Sequence, residues 1–155
     1  MLTYTLTQID PDRNIDLFNL INNPEVQEFL FQEVPYNDVG ELFFGNKVYG
    51  IKCLGEVIGM IDLCPVEHIV SYALLPGRRG RGLITWALLE VMKAENIQTV
   101  TADVDRRNEP GIRFAEAIGK ANGHDDRTFV GYEITQDSLA AKVKESDVYK
   151  REVKL

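Results

Sequence analysis

The sequence predicts a mixed α+β fold, with a central, mostly antiparallel mixed sheet flanked by helices. Three observations predict it. Residues 47–75 hold three β-prone runs, separated by Gly55 and Pro65, as in an antiparallel meander. An apolar helical run beginning near Gly82 leads to another β-prone run at residues 98–104. A strand, crossover helix and strand usually leave parallel neighbours. Finally, the chain opens on a β-prone run set apart from the meander by two short amphipathic segments. At 155 residues, with no linker or repeat, residues 1–155 read as one domain.

The elements follow in order. Residues 3–8 alternate and are β-prone, a first strand. Asp10-Pro11-Asp12 starts a helix whose apolar face is Ile15, Leu17, Phe18, Leu20 and Ile21. Pro24 opens a second helix to about Phe31, with Val26, Phe29 and Leu30 inward. Residues 32–45 read as a loop whose Glu33, Tyr36, Phe43 and Phe44 suit a cleft wall. Strands at 47–54, 56–63 and 68–75 form the meander. The helix from Gly82 is apolar on most sides, so it packs against the sheet. Residues 98–104 are a strand, 105–111 a polar loop, and 112–118 a short helix stopped by Gly119. Residues 128–135 are a strand, and Asp137 or Ser138 caps a helix from Leu139 to about Glu145. Residues 147–155 read equally as a last strand or a frayed tail.

Hydrophobic residues make up 45% and charged residues 26%, ordinary for a globular domain. Cys53 and Cys64 both lie in apolar runs and read as reduced, buried small hydrophobes. With no basic leader and no long apolar run, a cytoplasmic protein without membrane contact is expected. The net charge of −7 argues against nucleic acid, which needs a basic surface. It favours an amine-bearing partner by steering, although plain solubility charge explains it as well. Nothing in the Cys and His spacing suggests a metal.

Against this acidic background, Arg78, Arg79 and Arg81 stand out, interleaved with Gly80 and Gly82. A strand, a tight basic loop and a helix N-terminus make an anion site. The first helical amides lack intrahelical partners, the helix dipole adds positive charge, and glycines let a ligand reach the backbone. Guanidinium groups add donors that match phosphate oxygens. A phosphate or pyrophosphate is the expected guest. A P-loop is excluded, since no Lys-Ser/Thr ending follows, and a dinucleotide fingerprint lacks its third glycine.

Over about residues 3–135, this order of elements resembles the GNAT superfamily of acyl-CoA-dependent N-acetyltransferases. Arg79-Gly80-Arg81-Gly82-Leu83-Ile84 is similar to that family's Q/R-x-x-G-x-G/A loop, with Ile84 in place of the final small residue. Residues 108–119 are similar to its N-x-x-[SA]-I-x-x-[AY]-x-x-x-G segment, matching at Asn108, Ile112 and Gly119. Many members carry there a tyrosine that protonates the departing thiolate; this chain has Ala115, similar to the branch of ribosomal-protein N-terminal acetyltransferases. Lys120 stands where the family usually has Phe.

The resemblance implies a V-shaped splay between the fourth and fifth strands, holding the pantetheine arm of acetyl-CoA as co-substrate. It implies direct acetyl transfer in a ternary complex to a primary amine of a small molecule, peptide or protein N-terminus, by a monomer or homodimer. The implied cofactor contacts are Ala73, Leu74 and Leu75 by backbone, the loop residues Arg79, Gly80, Arg81, Gly82, Leu83 and Ile84, and Asn108. Asn108 reads as well as a helix cap. A base must take the amine's proton, and Glu33, Asp62, Glu67, His68, Ser71 and Tyr72 are the candidates. Tyr72, beside the acyl position, is favoured as catalytic, with Glu33 after it. Asp62 lies inside an apolar strand, where burial would raise its pKa. Ile84, Ala115 and the unassigned base leave an alternative: a non-catalytic acyl-CoA-binding or regulatory protein of the same fold.

Overall fold

The computed structural model describes residues 1–30, 36–143 and 148–155, with backbone alone for 28–30. Its centre is an eight-stranded mixed sheet in the order β6-β7-β5-β4-β3-β2-β1-β8. The strands are β1 (Leu2–Ile9), β2 (Lys47–Cys53), β3 (Glu56–Cys64), β4 (Ile69–Leu74), β5 (Thr99–Asp105), β6 (Lys120–Ala121), β7 (Phe129–Thr135) and β8 (Tyr149–Lys154). The helices are α1 (Ile15–Ile21), α2 (Pro24–Leu30), α3 (Val39–Leu42), α4 (Leu83–Ala94), α5 (Glu109–Ile118) and α6 (Gln136–Ala140).

The expected meander is β2-β3-β4, and its first turn is tight because both Leu54 and Gly55 are left-handed. Its two faces carry two apolar clusters. On one face α4 buries Leu83, Ile84, Trp86, Ala87, Leu88, Leu89, Val91 and Met92 against Ile51, Ile61, Leu63 and Leu74. On the other, Leu17, Leu20 and Ile21 of α1 and Val26 of α2 pack with Val48, Met60 and Ala73. Ile15, expected on the buried face of α1, is 54% exposed, since Asn14 caps the helix and leaves Ile15 on its outer side. The inward placement of Phe29 and Leu30 lies outside the described side chains.

Beyond the far end of α4, Glu95 receives Lys47 Nζ at 2.8 Å and the Tyr49 hydroxyl. Burial opposes the charge on Glu95, but these bonds outweigh it and hold the carboxyl below its usual range. The clamp fixes α4 on β2.

Three expectations are corrected and one open alternative is settled. Residues 36–42 are not plain loop: a 3₁₀ turn, Tyr36–Asp38, runs into α3. The helix after the polar loop starts at Glu109, because the Asn108 side chain caps it and Pro110 fits its first turn. The C-terminal helix is capped by neither Asp137 nor Ser138. Thr135 caps it, with Ser138 bonding back to the Thr135 amide in a capping box. Residues 149–154 are a strand, paired in parallel with β1. Its charged run, Lys150, Arg151, Glu152 and Lys154, suits a sheet edge.

Gly119 ends α5 for a reason other than handedness. Its φ is −157°, extended, and an added Cβ would meet the Glu133 carbonyl oxygen at 2.4 Å. Here glycine lets α5 turn directly onto β7. Gly119→Ala is expected to destabilise the fold by about 1–3 kcal/mol, as overpacking does, read as a lower urea midpoint at unchanged slope.

Candidate functional site

β4 and β5 touch only at their near ends. Ile69 is opposite Thr101 and the Thr101 amide donates to the His68 carbonyl at 3.0 Å, with no further pairing along the strands. Beyond Ile69 the strands diverge. The open end of β4 leads through Leu75 directly into the arginine-glycine loop and α4, so the splay and the loop share one mouth.

Strand parity sorts the backbone groups there. The Leu75 amide donates to the Ile58 carbonyl at 2.9 Å, so it is committed to β3 and is not available to a ligand. Alternation puts Ala73 on that same side and turns the amides of Tyr72 and Leu74 toward the splay. Of the three expected backbone contributors, Leu74 is the one aimed into the gap. Of the side chains, Tyr72 and Leu74 pack in the α4 cluster and Ala73 in the α1–α2 cluster, while Leu75 touches both.

The loop leaves its backbone open. Gly80 and Gly82 are left-handed, at φ of 85° and 72°, and beyond the chain neighbours no heavy atom lies within 4 Å of a Cβ built on either. Gly82 is the N-cap of α4, so no side chain caps the first amides, and the first turn carries no acidic residue. Each arginine donates to a nearby oxygen. Arg79 Nε donates to the Leu74 carbonyl at 3.2 Å, Arg81 to the Gly77 carbonyl at 3.1 Å and Arg78 to the Tyr4 hydroxyl at 3.3 Å. Leu83 and Ile84 are buried in the core, so the β-branched side chain of Ile84 leaves the mouth of the loop free. The other basic pair is spent elsewhere. Arg107 forks onto Asp105 at 2.9 and 3.0 Å, and Arg106 bonds the Asp126 carbonyl.

Across the splay, the Tyr72 ring meets Phe114 of α5 edge-on at 5.6 Å. Its hydroxyl is the single buried side-chain polar atom among the described residues without a hydrogen bond. Burial, and then Tyr132, push its pKa up, so it stays protonated near neutrality. Ala115 is fully buried against Val104 and Tyr132. Tyr132 carries no signal of this position in the sequence, because only the β5–β7 register brings it beside α5. Asn108 Oδ1 accepts from the Gly111 amide at 3.0 Å, which is the cap.

On the opposite face, Asp62 of β3 lies across from Ser71 of β4 and receives Asn46 Nδ2 at 2.9 Å. Burial pushes its carboxyl up to about 6, against the opposing pull of the Asn46 bond. Glu33 lies outside the described residues. Among the other residues expected to line a cleft, Phe43 is buried, Phe44 is 89% exposed and Tyr36 packs edge-on to Phe18 at 5.5 Å. His68 sits exposed in the turn before β4.

Residues 13–119 match the model of the Acetyltransferase (GNAT) family. No curated protein matches the sequence. Solved structures share the fold at low identity. An aminoglycoside acetyltransferase, AAC(6′)-Ib, in complex with paromomycin and acetyl-CoA aligns at TM-score 0.69 and 17% identity, over 93% of this chain and 99% of that one. Spermidine N-acetyltransferase from Vibrio cholerae, with CoA and spermine, aligns at 0.68 and 15%, over 88% and 98%. Ribosomal-protein-S5-alanine acetyltransferase from Vibrio fischeri aligns at 0.68 and 14%, over 86% and 93%.

Proposed function

Because this chain belongs to the acetyltransferase (GNAT) family, we propose that it transfers an acetyl group from acetyl-CoA to a primary amine. The acceptor class is a small molecule, a peptide or a protein N-terminus. The carrying observation is the uncapped, acid-free N-terminus of α4, behind two left-handed glycines and three arginines, at the mouth of the β4–β5 splay. That surface suits a pyrophosphate, and the splay gives an extended arm a place to lie.

In this reading the pyrophosphate rests on the loop from Arg79 to Ile84, and the pantetheine arm enters between β4 and β5. The backbone of Leu74 and the local turn at Asn108 border that arm. The amine attacks the thioester carbonyl carbon, a C–N bond forms, and the C–S bond breaks. The amine's proton passes to a base and the leaving thiolate gains one. Asp62, with a pKa near that of a working base, suits the first task on the α1–α2 face. Tyr72, buried, protonated and unpartnered, suits the second on the α4–α5 face. Acceptor specificity then falls to residues 10–45 and the C-terminal end, and a cytoplasmic monomer or homodimer fits this role.

The neighbours named above, bound to aminoglycoside or spermine, support an amine acceptor. Acetyl-CoA and CoA should each raise the melting midpoint, while ATP should not, since only a ligand of the native state stabilises it. Absence of a shift with both CoA species overturns the reading. Free-thiol release with polyamine, aminoglycoside and peptide acceptors separates enzyme from non-catalytic binder. Tyr72→Phe removes an unsatisfied buried hydroxyl, so it should hold or raise stability by about 1 kcal/mol. Its kcat should fall about 100-fold at unchanged KM, the scale of a lost proton donor. Wild-type turnover in that variant removes Tyr72 from the mechanism.

A further inference from the structure

The anion loop does not stand alone; it is seated on two tyrosines from the far edge of the sheet. Tyr149 of β8 donates its hydroxyl proton to the Arg81 carbonyl. Tyr149 and Tyr4 of β1 meet edge-on with ring centroids 5.2 Å apart, and both are buried. Arg78 donates to the Tyr4 hydroxyl at 3.3 Å, and its guanidinium carbon lies 6.0 Å from the centre of the Tyr4 ring. The loop is therefore held near both of its ends. β8 is itself held by a parallel ladder running from Leu2 opposite Tyr149 to Thr7 opposite Lys154, and by Thr7 Oγ1 donating to the Lys154 carbonyl at 3.2 Å.

The held atom matters. Arg81 sits between Gly80 and Gly82, both left-handed. Glycine turns through φ at little cost, so the peptide between Arg81 and Gly82 has unusual freedom to flip. A peptide unit is planar and trans, so its carbonyl and its N–H point in opposite directions. Drawing the Arg81 carbonyl inward to buried Tyr149 turns the Gly82 N–H the other way, outward from the core. That amide precedes the free amides of α4 and extends the same anion-binding row.

We propose that β8 is part of the acetyl-donor site, with Tyr149 a positioning residue that holds the Arg81–Gly82 peptide in the orientation that receives the pyrophosphate. This rests on the function proposed above. Loss of the Tyr149 hydroxyl frees the peptide, and the apparent affinity falls by the fraction of loops that remain competent. Linkage requires the converse: a bound CoA must tighten the docking of β8.

The experiment uses the full chain and CoA itself. Binding is measured by calorimetry, acetyl-CoA kinetics are run alongside, and amide hydrogen exchange is followed at residues 149–154 with and without CoA. In Tyr149→Phe, the Kd for CoA and the KM for acetyl-CoA should rise about three- to tenfold with kcat within twofold, the scale of one neutral hydrogen bond. CoA should slow exchange across β8 in the wild type, and less so in Tyr149→Phe. Thr7→Val is the comparison, since it loosens β8 at the Lys154 end without touching the loop. At matched loss of melting temperature it should lose clearly less CoA affinity than Tyr149→Phe. Equal CoA affinity in Tyr149→Phe and wild type overturns the proposal. So does equal loss in Thr7→Val, or β8 exchange that ignores CoA. A wild type that fails to bind CoA overturns the family-level reading first, and this one with it.

Discussion

Gly82→Ala should yield a folded protein that has lost most of its affinity for acetyl-CoA. Gly82 has φ of 72° and caps α4. An alanine held there costs about 1–2 kcal/mol, because Cβ crowds the following carbonyl in the left-handed region. For a chain of this size that lowers the melting midpoint by a few degrees. Beyond its chain neighbours, no heavy atom lies within 4 Å of the added Cβ, so the strain is local to the backbone. The methyl stands at the uncapped end of the helix, where the proposed function brings phosphate oxygens against backbone amides. The KM for acetyl-CoA should rise about 30-fold or more, a cost near 2 kcal/mol. Gly55→Ala is the matched control: φ of 82°, equally open, and on the β2–β3 turn. It should show the same thermal loss with no change in KM. Equal effects on KM in the two variants would sink the assignment of the loop.

Asp62→Asn should make the protein more stable and far less active. The carboxyl of Asp62 is raised from 3.8 to about 6, chiefly by burial. A pKa raised on folding means that the folded state prefers the proton. The stabilisation linked to that proton is fully present below about pH 4 and is lost as pH rises through about 6. At pH 7 the ionised group therefore destabilises the fold. Two units correspond to roughly 3 kcal/mol, and partial exposure cuts this to about 1–2 kcal/mol. Asparagine keeps an oxygen for Asn46 and carries no charge, so it should recover that amount at pH 7 and nothing at pH 4. Urea unfolding at the two pH values reads it. In the wild type, kcat/KM should climb through pH 6 as the base ionises. In Asp62→Asn that limb should vanish and kcat fall about 100-fold. Retention of both would leave Asp62 as an unexplained buried carboxylate.

Much of the fold was legible because its signals are local. The alternating runs gave the meander, Gly55 its turn, and the all-round apolar helix after Gly82 its burial. The loop was legible for the same reason: residues 78–84 are contiguous, so their chemistry appears in the spelling. The backbone carbonyls and amides were not. Whether Leu74 or Leu75 opens toward the splay depends on the β3–β4 register, which aligns Gly59 with Leu74 and commits Leu75 to Ile58. The departure at Ile84 looked like a defect in the loop until the phase of α4 placed that side chain in the core. Gly119 looked like a left-handed helix stop, whereas its lack of a Cβ serves contact with β7, a neighbour 14 residues away in sequence. Tyr149 was invisible as a loop partner, since only the parallel pairing of β1 and β8 carries it there.

That pairing also sets an order of assembly. Thr7 and Lys154 are joined across 147 positions, and Tyr149 reaches Arg81 across 68. Contacts of such separation form late, because a long stretch of chain must be closed before they return any energy. On the ribosome, at about 5–20 residues per second, roughly 3–14 seconds pass between synthesis of the arginine-glycine loop and synthesis of the tyrosine beneath it. A nascent chain thus carries the helix terminus and all three arginines well before it carries their brace.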